Sequence, residues 1–169
     1  MDFNLSEEQN MLKESVSRFV TDDYDFDTRC AHVAQEEGFD RATWATFAEL
    51  GWLSIPFAEA NGGFGGGAVD VMAVMEEIGK GLIVEPFVST VMLYGGLLQA
   101  GANAGQKDAL IASVIDGSTL GAFAYLERQS RYDLNNVAAI ATKSADGYSI
   151  SGDKVVVSNG MAADKIIVS

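Results

Sequence analysis

The spacing of apolar residues changes once along this chain, near residue 118, and no fold of a single class accommodates that change. Up to about residue 117 apolar side chains recur every three or four positions, the period of a helix with one buried face. From about residue 119 they fall in short β-branched and aromatic runs separated by turn residues, the pattern of strands. The order predicts an α+β chain. An all-α helical bundle over 1–118 leads into the first strands of a small antiparallel sheet or β-barrel-like domain over 119–169, which is incomplete.

Local signals divide the helical part. Ser6-Glu7-Glu8-Gln9 is a capping box that opens a helix with Leu12, Val16, Phe19 and Val20 on one face, closed by Asp22 and Asp23. Residues 25–38 are polar and have no clear period. Asp40 caps a second helix carrying Trp44, Phe47 and Leu50, with Gly51 just past its end. Pro56 interrupts the next apolar run. A third helix follows the glycines of 61–68 and turns Val71, Val74, Met75 and Ile78 inward. A fourth starts at Pro86 and is apolar almost all round, which predicts a central, buried position. A fifth covers 106–115 and is closed by Asp116-Gly117. The strand candidates are 120–126, 137–143, 148–152, 154–158 and 165–169, with Asp146-Gly147 as a hairpin turn between the second and third.

Charge excludes some partners. With 24 acidic against 11 basic residues, the formal charge of −13 argues against nucleic acid and against anionic membrane, both of which need clustered Lys and Arg. A single cysteine, Cys30, rules out an internal disulfide and fits a reducing compartment. No apolar run approaches the roughly 20 residues of a membrane span, and the start MDFNLSEEQ lacks the features of a signal peptide. A cytoplasmic protein is expected. The last residues, KIIVS, form an apolar strand candidate with no partner after it, so the chain is expected to be a piece of a longer protein.

Asn61–Ala68, NGGFGGGA, poses the main chemical question. From Gly63 it reads G-x-G-x-x-A, with Glu85 about 20 residues after Gly65, the pattern of a dinucleotide pyrophosphate loop with a ribose-binding acid. Against this, residues 58–61 separate the loop from the preceding apolar run and Pro56 interrupts that run, so no strand feeds the first glycine. Glu59 also adds negative charge. A helix-to-helix turn is the preferred reading. No Lys-Ser or Lys-Thr follows Gly67, which excludes a P-loop. Cys30-x-His32 is a single possible ligand pair with no second pair, and His32 reads as a surface or helix-end residue. Glu76-Glu77 are adjacent on a helix and read as a solvated face.

The order of these pieces resembles the acyl-CoA dehydrogenase family over the whole chain. LSEEQNMLKESVSRFV is similar to that family's first helix, and the run from FDRATW to EEIGKG resembles its next two helices with a glycine turn between them. GQKDALIASVIDGSTLGAFAYLE resembles the passage into its β-domain. DGYSISGDKVVVSNG resembles the segment D-G-Y-x-(I/L)-x-G-x-K-x-W-(I/V)-(S/T)-N-(G/A). The resemblance implies FAD as cofactor and an acyl-CoA thioester as substrate, oxidised between its α and β carbons. It implies a helical domain, a β-domain and a second helical domain, the last absent from this chain. It also implies oligomers, either homo-oligomers or heteromers with a second dehydrogenase subunit.

Carried over by position, the resemblance places Tyr125, Leu126, Val156, Val157 and Ser158 at the flavin. Ser158 occupies the hydroxyl position that faces the reactive edge of the ring, and Tyr125 and Leu126 offer backbone donors. Val156 stands where the family usually has a Trp packed on the flavin. The other flavin segment, usually T-E-P-x-x-G-S-D, reads LERQSRYD here. Glu127 and Asp133 are retained, Arg128 replaces Pro, and Arg131-Tyr132 replace Gly-Ser. That segment is similar to the small subunits of two-subunit members acting on dicarboxylyl-CoA such as pimeloyl-CoA. The family's catalytic glutamate belongs to the second helical domain, so no catalytic residue is assigned and the piece alone is expected to be inactive. A non-catalytic subunit, docking through the apolar fourth helix, is the alternative, and a dinucleotide-binding module is a third.

Overall fold

The computed structural model describes residues 4–169; the first three residues of the MDFNLSEEQ start lie outside it. Six α-helices and one π-helical stretch precede four strands among the described residues. Helix α1 (Glu7–Asp23) begins at the expected capping box, with the Ser6 hydroxyl accepting from Gln9 N and the Gln9 side chain accepting from Ser6 N. Val16 is buried, and Leu12, Phe19 and Val20 pack against the core from the same face. Residues 25–38, which show no clear period, supply a further helix, α2 (Phe26–Val33). Asp25 caps it by accepting from Thr28 N at 2.7 Å, a signal present in the sequence as Asp-x-x-Thr.

Asp40 caps α3 (Arg41–Glu49) in the same way, through Thr43 N at 2.7 Å. Trp44 and Phe47 are buried as expected, whereas Leu50 is 46% exposed because it lies at the helix end, before Gly51 turns the chain with φ 77°. Helix α4 (Ala68–Lys80) buries Val71, Val74 and Ile78 and packs along α1, where Lys13 Nζ meets Glu76 Oε2 at 2.7 Å. The expectation of a solvated face for both glutamates holds for Glu76 alone. Glu77 is 3% exposed and takes Lys80 Nζ at 2.7 Å.

The expected fourth helix is two pieces: a π-helical stretch, Val88–Gly95, continued by α5 (Gly96–Gly101). It is not buried all round. Phe87, Val91, Tyr94 and Leu98 point into the core, while Val88, Met92, Leu93 and Leu97 are 36–48% exposed. Helix α6 (Ala104–Ile115) follows, capped by Asn103, and buries Ile111 and Val114. The core between these helices is aromatic. Phe19 meets both Phe47 and Trp52 edge-on at 5.5 Å between ring centres, the arrangement ring quadrupoles favour. Burial of each such side chain contributes about 1.5–3 kcal/mol.

A buried polar knot fastens the helix ends. Glu85, 4% exposed, accepts from the Tyr24 hydroxyl at 2.8 Å and lies 2.8 Å from His32 Nδ1. His32 therefore sits at a helix end, as expected, but it is buried and not on the surface. The Tyr24 hydroxyl has its pKa driven up, chiefly by burial, so it stays a neutral donor to this carboxylate.

The strands are β1 (Gly121–Ala124), β2 (Ile140–Ser144), β3 (Gly147–Ser151) and β4 (Lys165–Val168). β2 and β3 form the expected antiparallel hairpin, Ser144 opposite Gly147. β1 and β4 pair parallel, Gly121 opposite Lys165, which departs from the antiparallel expectation. Residues 154–158 form no strand, although their β-branched composition predicts one. The left-handed backbone of Val156, φ 52°, breaks the extended run. β1 lies against the π-helical stretch because residue 121 is glycine. A Cβ there would fall 2.1 Å from Tyr94 Cγ, and the Thr90 hydroxyl is 3.2 Å from both the N–H and the carbonyl of Gly121.

Candidate functional site

The glycine loop is settled by its hydrogen bonds. Phe64 N donates to Ser54 O, Gly65 N to Phe57 O and Gly66 N to Ile55 O, at 2.8–3.2 Å. Gly67 N donates to Asp70 Oδ2 at 2.7 Å. These amides are spent on the chain itself, so they cannot cradle a pyrophosphate. Gly63 is required for contact and not for a ligand: its Cβ would fall 2.0 Å from Phe57 O. Glu85, the supposed ribose acid, is the buried centre of the Tyr24–His32 knot. The loop is a packed turn, and the dinucleotide-binding alternative is withdrawn on this geometry.

The Cys30–His32 pair is divided between solvent and the core. Cys30 is exposed, whereas His32 is engaged by Glu85. Among the described residues no group of three or more His, Cys, Asp or Glu is arranged to hold a metal ion. A hollow of about 720 Å³ lies between α1 and α3, lined by Glu14, Arg18, Asp22, Thr46 and Leu50 among others. None of its lining residues belongs to the strand segments.

Those segments come together where β1 ends. Tyr125 and Leu126 continue β1, both half-buried, and the Tyr125 ring stacks on Phe123 with centres 4.9 Å apart. The segment 154–158 runs beside them, with Val155 N donating to Leu126 O at 2.9 Å. One residue further, Glu127 Oε1 receives Lys154 Nζ at 2.6 Å, and their side chains are 3% and 8% exposed. The same carboxylate accepts from Ala138 N at 2.7 Å, Ala139 N at 3.1 Å and Gln129 Nε2. Lys154 first, and then the Ala138 N–H, pull the Glu127 carboxyl down to about 2. In the sequence Glu127 is a matched position without a role, and its partner Lys154 shows only as the lysine of the G-x-K motif.

Beyond Val155 the chain turns outward. Val156 is 80% exposed, Val157 half-buried and Ser158 exposed. Asn159 has φ 53° and donates from Nδ2 to Ser89 Oγ at 2.8 Å, tying the turn to the π-helical stretch. Among the described residues the N–H groups of Leu126 and Ser158 donate to no other group of the chain. A cavity of about 630 Å³ opens beside Tyr125 and Leu126, its other walls Arg131, Tyr132 and Leu134. That volume lies in the range of cofactor and ligand sites. Val156, Val157 and Ser158 are not among its lining residues. The structure thus brings Tyr125 and Leu126 to a cavity and sets the 154–158 segment alongside through Val155, with the Ser158 hydroxyl presented to solvent.

Comparison with known proteins bears on this arrangement. The family model described as acyl-CoA dehydrogenase, N-terminal domain, matches residues 6–118. The probable acyl-CoA dehydrogenase YngJ of Bacillus subtilis is 30% identical over 171 residues, which cover 100% of this chain and 44% of that protein. The solved butyryl-CoA dehydrogenase from Megasphaera elsdenii superposes with a TM-score of 0.84 at 26% identity, covering 99% of this chain and 45% of its own. The FAD complex of PigA superposes with a TM-score of 0.85 at 27% identity, covering 99% and 44%. The chain spans less than half the length of these relatives. No helix among the described residues is long and apolar enough to cross a membrane.

Proposed function

The chain belongs to the acyl-CoA dehydrogenase family, and on that premise we propose that it is part of a longer, cytoplasmic FAD-dependent enzyme that oxidises an acyl-CoA thioester between its α and β carbons. Within it, 1–118 is the helical domain and 119–169 the beginning of the β-domain. The observation that carries this reading is the side-by-side placement of residues 125–127 and 154–158, locked by Val155 N to Leu126 O and Lys154 to Glu127, next to a ligand-sized cavity.

The donor set fits a flavin ring. The Leu126 N–H, the Ser158 N–H and the Ser158 hydroxyl, none taken up by another group among the described residues, are the donors for the ring's acceptor edge, and Val157 and Tyr125 supply apolar contact. Arg128 and Arg131, both exposed, supply positive charge for the pyrophosphate where the family's Gly-Ser is missing. Bound FAD would supply the two-electron acceptor for the substrate's β hydrogen. The chain's own part is to hold and polarise the ring. No carboxylate of this chain is assigned as the base that removes the α proton.

A second reading is a subunit whose active site is completed by a partner dehydrogenase subunit. The replacement of the Trp position by Val156 and the exposed apolar row Val88, Met92, Leu93 and Leu97 favour it. Purified full-length protein decides between the two. A yellow protein whose flavin absorbance bleaches on addition of acyl-CoA supports the first reading. Activity that appears only on mixing with a co-purifying dehydrogenase subunit supports the second. A protein that stays colourless with added FAD, alone and in mixtures, overturns both.

A further inference from the structure

We propose that the Glu127–Lys154 ion pair is a positioning device that clamps residues 125–127 against 154–158 and so sets the backbone of Val156 and the hydroxyl of Ser158 for the flavin; this rests on the flavin reading above. The two residues are far apart in sequence, and no regular ladder joins their segments. Apart from Val155 N to Leu126 O, the pair is what bridges them. Both side chains are nearly free of solvent. A buried ion pair contributes little net stability, because desolvation offsets attraction; its use is to fix one arrangement over others. Here both groups have further partners. Glu127 also accepts from Ala138 N, Ala139 N and Gln129 Nε2, and Lys154 Nζ also reaches Ser169 Oγ at 3.0 Å.

Backbone strain points to the same place. Four non-glycine residues have left-handed backbone among those described: Leu82, Arg131, Val156 and Asn159. Three of them lie in the two segments that the clamp joins or in the turns next to them. Val156 is the severe case, since a β-branched side chain is poorly accommodated at φ 52°. Strain of this kind persists only where the surroundings over-determine it, and it gathers at working sites. Ser158 sits between two such residues, each anchored. Lys154 to Glu127 holds the upstream side, and Asn159 to Ser89 holds the downstream side.

The test compares Lys154→Met, Lys154→Arg and Glu127→Gln with the unaltered full-length protein. Amide exchange reads the clamp directly: Lys154→Met speeds exchange at Val155 and Ala138 by about tenfold or more, with the core amides of Val91 and Ile111 unchanged. FAD affinity, read by flavin fluorescence, weakens about tenfold in Lys154→Met and Glu127→Gln, while Lys154→Arg, which keeps the charge, stays within about threefold. Wild-type exchange at Val155 in Lys154→Met overturns the proposal. So does an equal acceleration of every amide, which marks the pair as merely structural. Local loosening with unchanged FAD affinity overturns the link to the flavin. If the unaltered protein takes up no FAD, the flavin reading itself fails, and the exchange measurements alone decide whether the clamp exists.

Discussion

The helices and the β2–β3 hairpin of this chain are held by different forces. The helical part encloses one continuous core in which Val16, Phe47, Trp52, Leu53 and Val74 are all at 0% exposure, and Leu120 and Ile167 join it from the strand side. The β2–β3 hairpin buries nothing. Ile140, Tyr148 and Ile150 are 60–68% exposed, and the hairpin's flanks are tied to the rest through the Ala138 and Ala139 N–H groups to Glu127 and through Lys154 and Asn159. One region rests on non-directional burial, which tolerates small shifts. The other rests on a few directional polar contacts, each of which sets a position. A segment proposed to present donors to a flavin is better served by the second kind.

This contrast can be broken by substitution. Phe47→Ala removes a fully buried ring and is expected to destabilise the protein by about 3–5 kcal/mol, read by urea denaturation of helical circular dichroism. A loss under about 1 kcal/mol would mean that the aromatic core is not what holds the helices. Gly121→Ala comes next. Its methyl group must displace the Tyr94 ring, costing about 1–3 kcal/mol, and the exchange of β1 amides should rise more than that of α4. Asp40→Ala removes the α3 cap and should cost about 0.5–2 kcal/mol, with Asp40→Asn close to neutral.

The smallest global effect is the most local one. The Glu127 carboxyl lies at about 2, below its ordinary 4.5. Its depressed pKa means that the stabilisation from the Lys154 contact is fully present above about pH 4.5. It is lost as the pH falls from there toward about 2. Exchange at Ala138 and Val155 followed downward in pH should therefore rise in this window beyond the intrinsic rate, and Glu127→Gln should remove that pH dependence. A flat profile in the unaltered protein would show that the carboxylate does not hold these amides.

Some of this is legible from residues alone. The capping box at Ser6 and the cap at Asp40, the inward faces of α1 and α4, and the hairpin at Asp146-Gly147 depend on neighbours within a few positions, and they stand where local chemistry puts them. The cap at Asp25 is equally local, but the helix behind it is short and polar and shows no period. The departures have another source. The composition of residues 154–158 argues for a strand, yet a long-range clamp and a left-handed Val156 override it. His32 and Glu85 are 53 positions apart, and polarity alone would place both in solvent.

The sequence by itself determined the class of the chain, the change from helix to strand near residue 118 and the preference for a turn at 61–68, because period, caps and glycine act over a few residues. Only the tertiary structure decided which polar side chains were buried, that β4 returns parallel beside β1, and that Glu127 faces Lys154. These are pairings between distant positions. Their free energy exists only once the chain has closed around them, so no local pattern can record them.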